Sequence, residues 1–195
     1  MVQPTDKKLD QEVFSEATHL YKAGQYVEAA SRYKELAEKD YLDAQVFLGW
    51  MYSEGIGYAQ SRDSALFWFK KAAALNSAEG MFYCGRLLEE DGQSEDAFEY
   101  IRLSAGKGYP PALCRLGLMY LIGRGVAANN DYAMQYLRRA ADQGNVFAKR
   151  ELAVVQMKHA LNLLTWTQGG LRFIAAIIES FLIAWRDPYS EKIRC

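Results

Sequence analysis

One apolar segment recurs along this chain at nearly constant spacing, and that recurrence limits the fold more than any other feature. DAQVFLGWMYSEGIG from Asp43, EGMFYCGRLLEEDG from Glu79 and PALCRLGLMYLIGRG from Pro111 align. In each, a small residue (Ala44, Gly80, Ala112) stands five positions before a glycine (Gly49, Gly85, Gly117), and Ala148 opens a partial copy, AKRELA. The anchors at 44, 80, 112 and 148 are separated by 36, 32 and 36 residues. The middle copy lacks the GxG present as Gly55–Gly57 and Gly123–Gly125, and a four-residue deletion there accounts for its shorter period.

After each loop a second apolar stretch follows: SALFWFKKAAA, SEDAFEYIRLSA and DYAMQYLRRAA. Ala65, Ala97 and Ala133 stand three residues before Trp68, Tyr100 and Tyr136, a helical spacing. Asp63, Ser94 and Asp131 sit where a helix start wants a cap or a first-turn acid. Gly108 and Gly144 follow the second helix, and Pro110 and Pro111 suit the first turn of the next one. Each unit therefore reads as helix A, loop, helix B. Small residues let the two helices approach, and stacked hairpins bury the faces that one hairpin leaves exposed. With half the residues hydrophobic and only four prolines, composition agrees with an all-α chain.

These residues resemble the SEL-one-like repeat, a relative of the tetratricopeptide repeat. The copy at Ala44 keeps Leu48, Gly49, Tyr52, Gly55, Gly57, Trp68, Ala72 and Ala73 of that pattern. The copy at Ala112 keeps Leu116, Gly117, Tyr120, Gly123, Gly125, Val126, Ala133, Tyr136, Ala140, Ala141 and Gly144. The middle copy departs, with Cys84 for the leucine and Leu88 for the tyrosine. Upstream, Ala17, Tyr21, Gly24, Tyr26, Ala29 and Tyr33 look like a plain tetratricopeptide unit. The expected organisation is a tetratricopeptide-like repeat over 10–41 and SEL-one-like repeats over 42–157 (43–75, 79–108, 111–144 and a partial copy from 145). An apolar helical extension and polar tail follow over 158–195. The resemblance implies a right-handed α/α superhelical solenoid whose concave face, lined by A helices, grips a protein or peptide. It also implies an adaptor or scaffold rather than an enzyme.

Helix A positions not needed for stacking are the candidate partner contacts: Phe14, Val46, Trp50, Phe82, Arg86, Leu118 and Leu121, with Cys114 beside them. Trp and Arg dominate binding hot spots, so Trp50 and Arg86 lead that set. Each has a bland reading as well. Trp50 equally fits a space between repeats, and Arg86 fits a solvated residue paired with Glu89 or Glu90 along its helix.

Other function classes find little support. Net charge is −1, with 23 basic and 24 acidic residues, so no field recruits nucleic acid. His19 and His159 lack motifs, no phosphate-binding or hydrolase fingerprint is present, and the GIG and GRG loops link helices rather than follow strands. The acidic cluster Glu89, Glu90 and Asp91 reads as solvated. Cys84, Cys114 and Cys195 are too far apart for a metal site or a disulfide framework. No catalytic residue, cofactor or metal is expected, and the N-terminus carries no apolar secretory signal, which makes a cytoplasmic protein the expectation.

Beyond about Met157 the repeat pattern fades. Residues 160–185 contain only two charges, Arg172 and Glu179, and Gly169–Gly170 should break the run into two helices. Arg172, Glu179 and Arg186 fall seven apart on one stripe of the second helix, and apolar residues cover most of the rest. Phe173, Ile177, Phe181 and Trp185 are the candidate contacts. Three readings stand open: capping of the solenoid or dimerisation, attachment to a membrane interface, and spanning. The last is opposed by the length after Gly170 and by Glu179 near its middle. A membrane-associated scaffold, peripheral to the inner face of a membrane, is the alternative function.

Overall fold

The computed structural model describes residues 4–159, 169 and 171–180, and every described regular element is helical. Nine helices follow in order: α1 (Pro4–Lys22), α2 (Tyr26–Glu38), α3 (Leu42–Glu54), α4 (Arg62–Ala74), α5 (Ala78–Glu90), α6 (Ser94–Gly106), α7 (Pro110–Ile122), α8 (Asn130–Asp142) and α9 (Val146–His159). A further helical segment occupies 171–180. The chain divides into two compact units, one ending at Leu87 and one beginning at Leu88, both within α5.

In the first unit α1 packs on α2, α2 on α3, and α3 on α4. The close approach of α3 and α4 depends on Gly49. A Cβ there would stand 2.7 Å from the Phe69 ring, so only glycine lets that ring lie against the α3 backbone. In the second unit α6 packs on α7, α7 on α8, and α8 on α9. Gly117 repeats the device, where an added Cβ would meet Leu137 at 2.7 Å. The helix ends follow from local chemistry. Ser61 accepts a hydrogen bond from the Ser64 amide, and Asn129 accepts from the amides of Asp131 and Tyr132, satisfying donors that a helix start leaves orphaned. Asp63 and Asp131 lie in first turns, where the helix dipole favours an anion. Ser94 is instead the first residue of α6, whose cap position is Gln93.

The GxG loops do more than turn the chain. Gly57 has φ +74° and Gly125 φ +68°. A side chain at either would strike backbone: the Tyr26 carbonyl at the start of α2, or the Ser94 carbonyl at the start of α6. Each loop therefore lies directly on the first turn of an earlier B helix. Tyr58, next to Gly57, donates from its hydroxyl to the Ala30 carbonyl at 3.2 Å and fastens the same contact.

The repeat pattern does not fade where the sequence alone suggests. From Ala44 to Ala65 and from Ala112 to Ala133 is the same interval as from Ala148 to Gly169, and Ala72 and Ala140 correspond likewise to Ala176. Gly169 is buried and Ala176 is 1% exposed, matching the full burial of Ala65, Ala72, Ala133 and Ala140. Segment 171–180 thus stands in register as the B helix that follows α9.

Candidate partner-binding faces

In the first unit the face is built on aromatic rings. Phe14 of α1 sits edge-on to Tyr33 (5.5 Å), stacks on Tyr41 (5.3 Å) and meets Phe47 edge-on (5.9 Å). Tyr33 and Phe47 stack at 5.1 Å. Tyr33 is fully buried, and its hydroxyl lies 3.0 Å from Thr18 Oγ1, which itself donates to the Phe14 carbonyl. Burial holds the Tyr33 phenol above its ordinary pKa. Farther along, Trp50 is half-buried and edge-on to Tyr21 at 5.9 Å, and Tyr21 contacts the exposed Tyr26 at 5.3 Å. Trp50 both packs on the unit's core and keeps accessible surface.

In the second unit the corresponding chemistry is ionic. Glu89, in the last turn of α5, has only 3% of its side chain exposed, and both carboxylate oxygens are taken. Arg115 Nε donates to one at 2.7 Å, and Arg124 Nη1 donates to the other at 2.8 Å. Sequence reasoning missed this centre, because Glu89 stands beside Glu90 and Asp91 and reads as solvated, while its partners lie 26 and 35 residues away. Leu118 and Leu121 of α7 are half-buried.

Several expectations are corrected. Val46 is 5% exposed and Phe82 4%, so both side chains fill the interior and offer no surface to a partner. Arg86, a candidate contact, is half-buried on α5 and keeps part of its surface. Cys84 is buried with a free thiol, and burial pushes its pKa up to about 12, which suppresses the reactive thiolate. Cys114, also fully buried, is disulfide-bonded, against the expectation of thiols. Phe173 is half-buried, whereas Ile177 is 46% exposed. Phe181 and Trp185 lie outside the described residues. Among those described, no group of three or more His, Cys, Asp or Glu side chains is placed to hold a metal ion. No described helix is long and apolar enough to cross a membrane.

Between α8, α9 and segment 171–180 lies a cleft of about 450 Å³. Lys149 donates to both oxygens of Glu179 across it, at 3.0 and 2.9 Å, and ties the segment to α9.

Comparison with known proteins follows this architecture. The Sel1 repeat model matches residues 42–77 and 110–145, the spans of α3–α4 and α7–α8. An uncharacterized protein of Neisseria meningitidis serogroup B is 35% identical over 126 residues, 62% of this chain and 26% of the relative. Chitin synthase regulatory factor 3 of Schizosaccharomyces pombe is 33% identical over 129 residues, 62% of this chain and 14% of that protein. The chain therefore spans about a quarter or less of the length of these relatives. Among solved structures, a Sel1 repeat protein from Oxalobacter formigenes superposes with a TM-score of 0.75 at 23% identity, covering 86% of this chain and 68% of that one. Immunity protein Pa5087 of Pseudomonas aeruginosa gives 0.63 at 20% identity, covering 94% and 71%. At such identities these two share the fold, and the family is one of non-catalytic scaffolds for protein partners. The chain therefore carries two Sel1 repeats, over 42–77 and 110–145, within a helix-hairpin fold that these neighbours share.

Proposed function

We propose that this protein is a non-enzymatic adaptor that holds a protein or peptide partner against its A helices, with the aromatic face of the first unit as the principal anchor. The observation that carries this reading is Trp50. It is held edge-on by Tyr21 yet keeps part of its surface accessible, the combination of rigidity and accessible apolar area that makes an interface anchor. Phe14 supports it from the same unit. A photo-crosslinking residue at position 50 tests the reading in cells. A discrete adduct is expected there and none from position 34, an exposed lysine of α2. Equal labelling at both positions, or none at 50, defeats it.

Membrane attachment is the second reading, and the observation in its favour is the exposure of Leu171, Ile174, Ile177 and Ile178. Cosedimentation of the full chain with anionic vesicles, lost on truncation before Gly169, is the outcome it requires.

A further inference from the structure

The B helices can be compared position by position, because their buried residues fix the register. Three outward positions, among others, stay exposed in all of them. At the first stand Ser31, Phe67, Glu99 and Gln135; at the second Lys34, Lys70, Arg102 and Arg138; at the third Glu38, Ala74, Gly106 and Asp142. Segment 171–180 carries Leu171, Ile174 and Ile178 at these positions, and they are 70%, 54% and 53% exposed. The inward side of the segment keeps to the repeat, through Gly169 and Ala176. Its outward side does not: a position that is Lys or Arg four times over has become isoleucine. Nothing in the repeat core calls for that change, since the fold is already satisfied on the other side.

We infer that this stripe is a self-association surface, closed by the same stripe of a second copy of the chain. Three observations choose this occupant. Leu171, Ile174 and Ile178 recur at intervals of three and four, the seam along which two helices interlock, and large aliphatic residues are what that seam takes. Two cations of the adjoining α9 are already matched: Lys149 with Glu179, and Arg150 with Glu151 at 2.6 Å. A surface made for anionic lipid needs uncompensated Lys and Arg flanking its apolar face. The size also fits. With Ile177, the patch presents a few hundred Å² of apolar surface, the range in which contact sites are found. That is short of the ~800 Å² per partner of a standard tight interface, so the dimer is weak and concentration-dependent. Two-fold pairing needs nothing beyond the patch itself, because each copy supplies the complement of the other.

The test is sedimentation equilibrium of the full chain from about 1 to about 200 µM, with a dissociation constant of tens of micromolar expected for a patch of this size. The average mass should rise from 22.1 kDa toward twice that value. Ile174→Lys with Ile178→Asp places there residues that other B helices carry at these positions, Lys34 and Lys70 for the first and Asp142 for the second, so the fold should survive. The dissociation constant should rise at least about tenfold, the effect of losing roughly 1.4 kcal/mol of contact. Leu171→Gln is the companion variant, with a smaller shift in the same direction, and circular dichroism checks that each variant is folded. A wild-type chain that stays monomeric to 200 µM overturns the inference. So does a dimer that both folded variants retain, and so does a monomer that gains mass only with phosphatidylglycerol vesicles, which would assign the stripe to lipid. None of these outcomes bears on crosslinking at position 50.

Discussion

The two units solve one packing problem in two chemistries. Phe47 and Arg115 occupy the same place, three residues after the anchors Ala44 and Ala112. In the first unit that place holds a ring stacked on Tyr33 and edge-on to Phe14; in the second it holds a guanidinium bonded to a buried carboxylate. The small-residue contacts beneath, Gly49 on Phe69 and Gly117 on Leu137, are alike. Helix pairing is thus fixed by a few small residues, and the faces above them vary freely. That freedom is what a family of adaptors needs to change partners without changing fold.

The shared frame should break first. Gly125→Val combines a left-handed backbone with a clash on the Ser94 carbonyl, and a loss of about 3 kcal/mol is expected in urea unfolding. Gly57→Val should behave alike in the first unit. Equal tolerance of both by the protein would show that the loops do not bear on the B helices. Next comes the aromatic side of the comparison. Phe14→Ala removes a half-buried ring with three ring partners and should cost about 2 kcal/mol, discounted from the ~3–5 of a fully buried ring. The loss should be almost independent of salt.

The ionic side should respond differently. Glu89→Ala strands two arginines that are still 28% and 49% exposed, so roughly 1–2 kcal/mol is expected rather than the ~3–5 of a fully buried pair. Here raising ionic strength should shrink the wild-type advantage, which it does not do for Phe14. A salt-independent Glu89 effect would mean that packing, not charge, holds this centre. Smallest is the contribution of the Tyr33 hydroxyl. Tyr33→Phe should cost about 1 kcal/mol at neutral pH. Because burial raises the phenol's pKa in the folded state, the neutral form stabilises the fold below the ordinary tyrosine value of 10.0, and this stability declines as pH rises beyond it. The variant should therefore lose less stability than the wild type in alkaline titration, and parallel losses would exclude Tyr33 from the transition.

Fold was far more legible in the sequence than site was. Ala44, Gly49, Gly55 and Gly57 carry their meaning locally, because a small residue at a fixed place has few structural explanations. Glu89 carries none locally, since its burial is created by Arg115 and Arg124 from another helix and a loop. Val46 and Phe82 look like any other apolar residue on an A helix, and only the neighbouring helices decide that they face inward. The B helix at 171–180 was obscured for the opposite reason. Its apolar outward positions hid the small-residue register of Gly169 and Ala176, so the segment looked like a new element rather than a repeat wearing a different surface.

The glycine loops lying on earlier B helices also bear on how such arrays grow. A hairpin copied with its borders drawn at the helix ends would carry a loop shaped for the helix before it, which the copy leaves behind. For a duplication to be inherited intact, the start of the B helix beneath each GxG loop must keep a backbone carbonyl where that loop can rest. The heritable module is therefore displaced from the visible hairpin, and gene segments cut to respect that offset should recombine with fewer losses than segments cut at the turns.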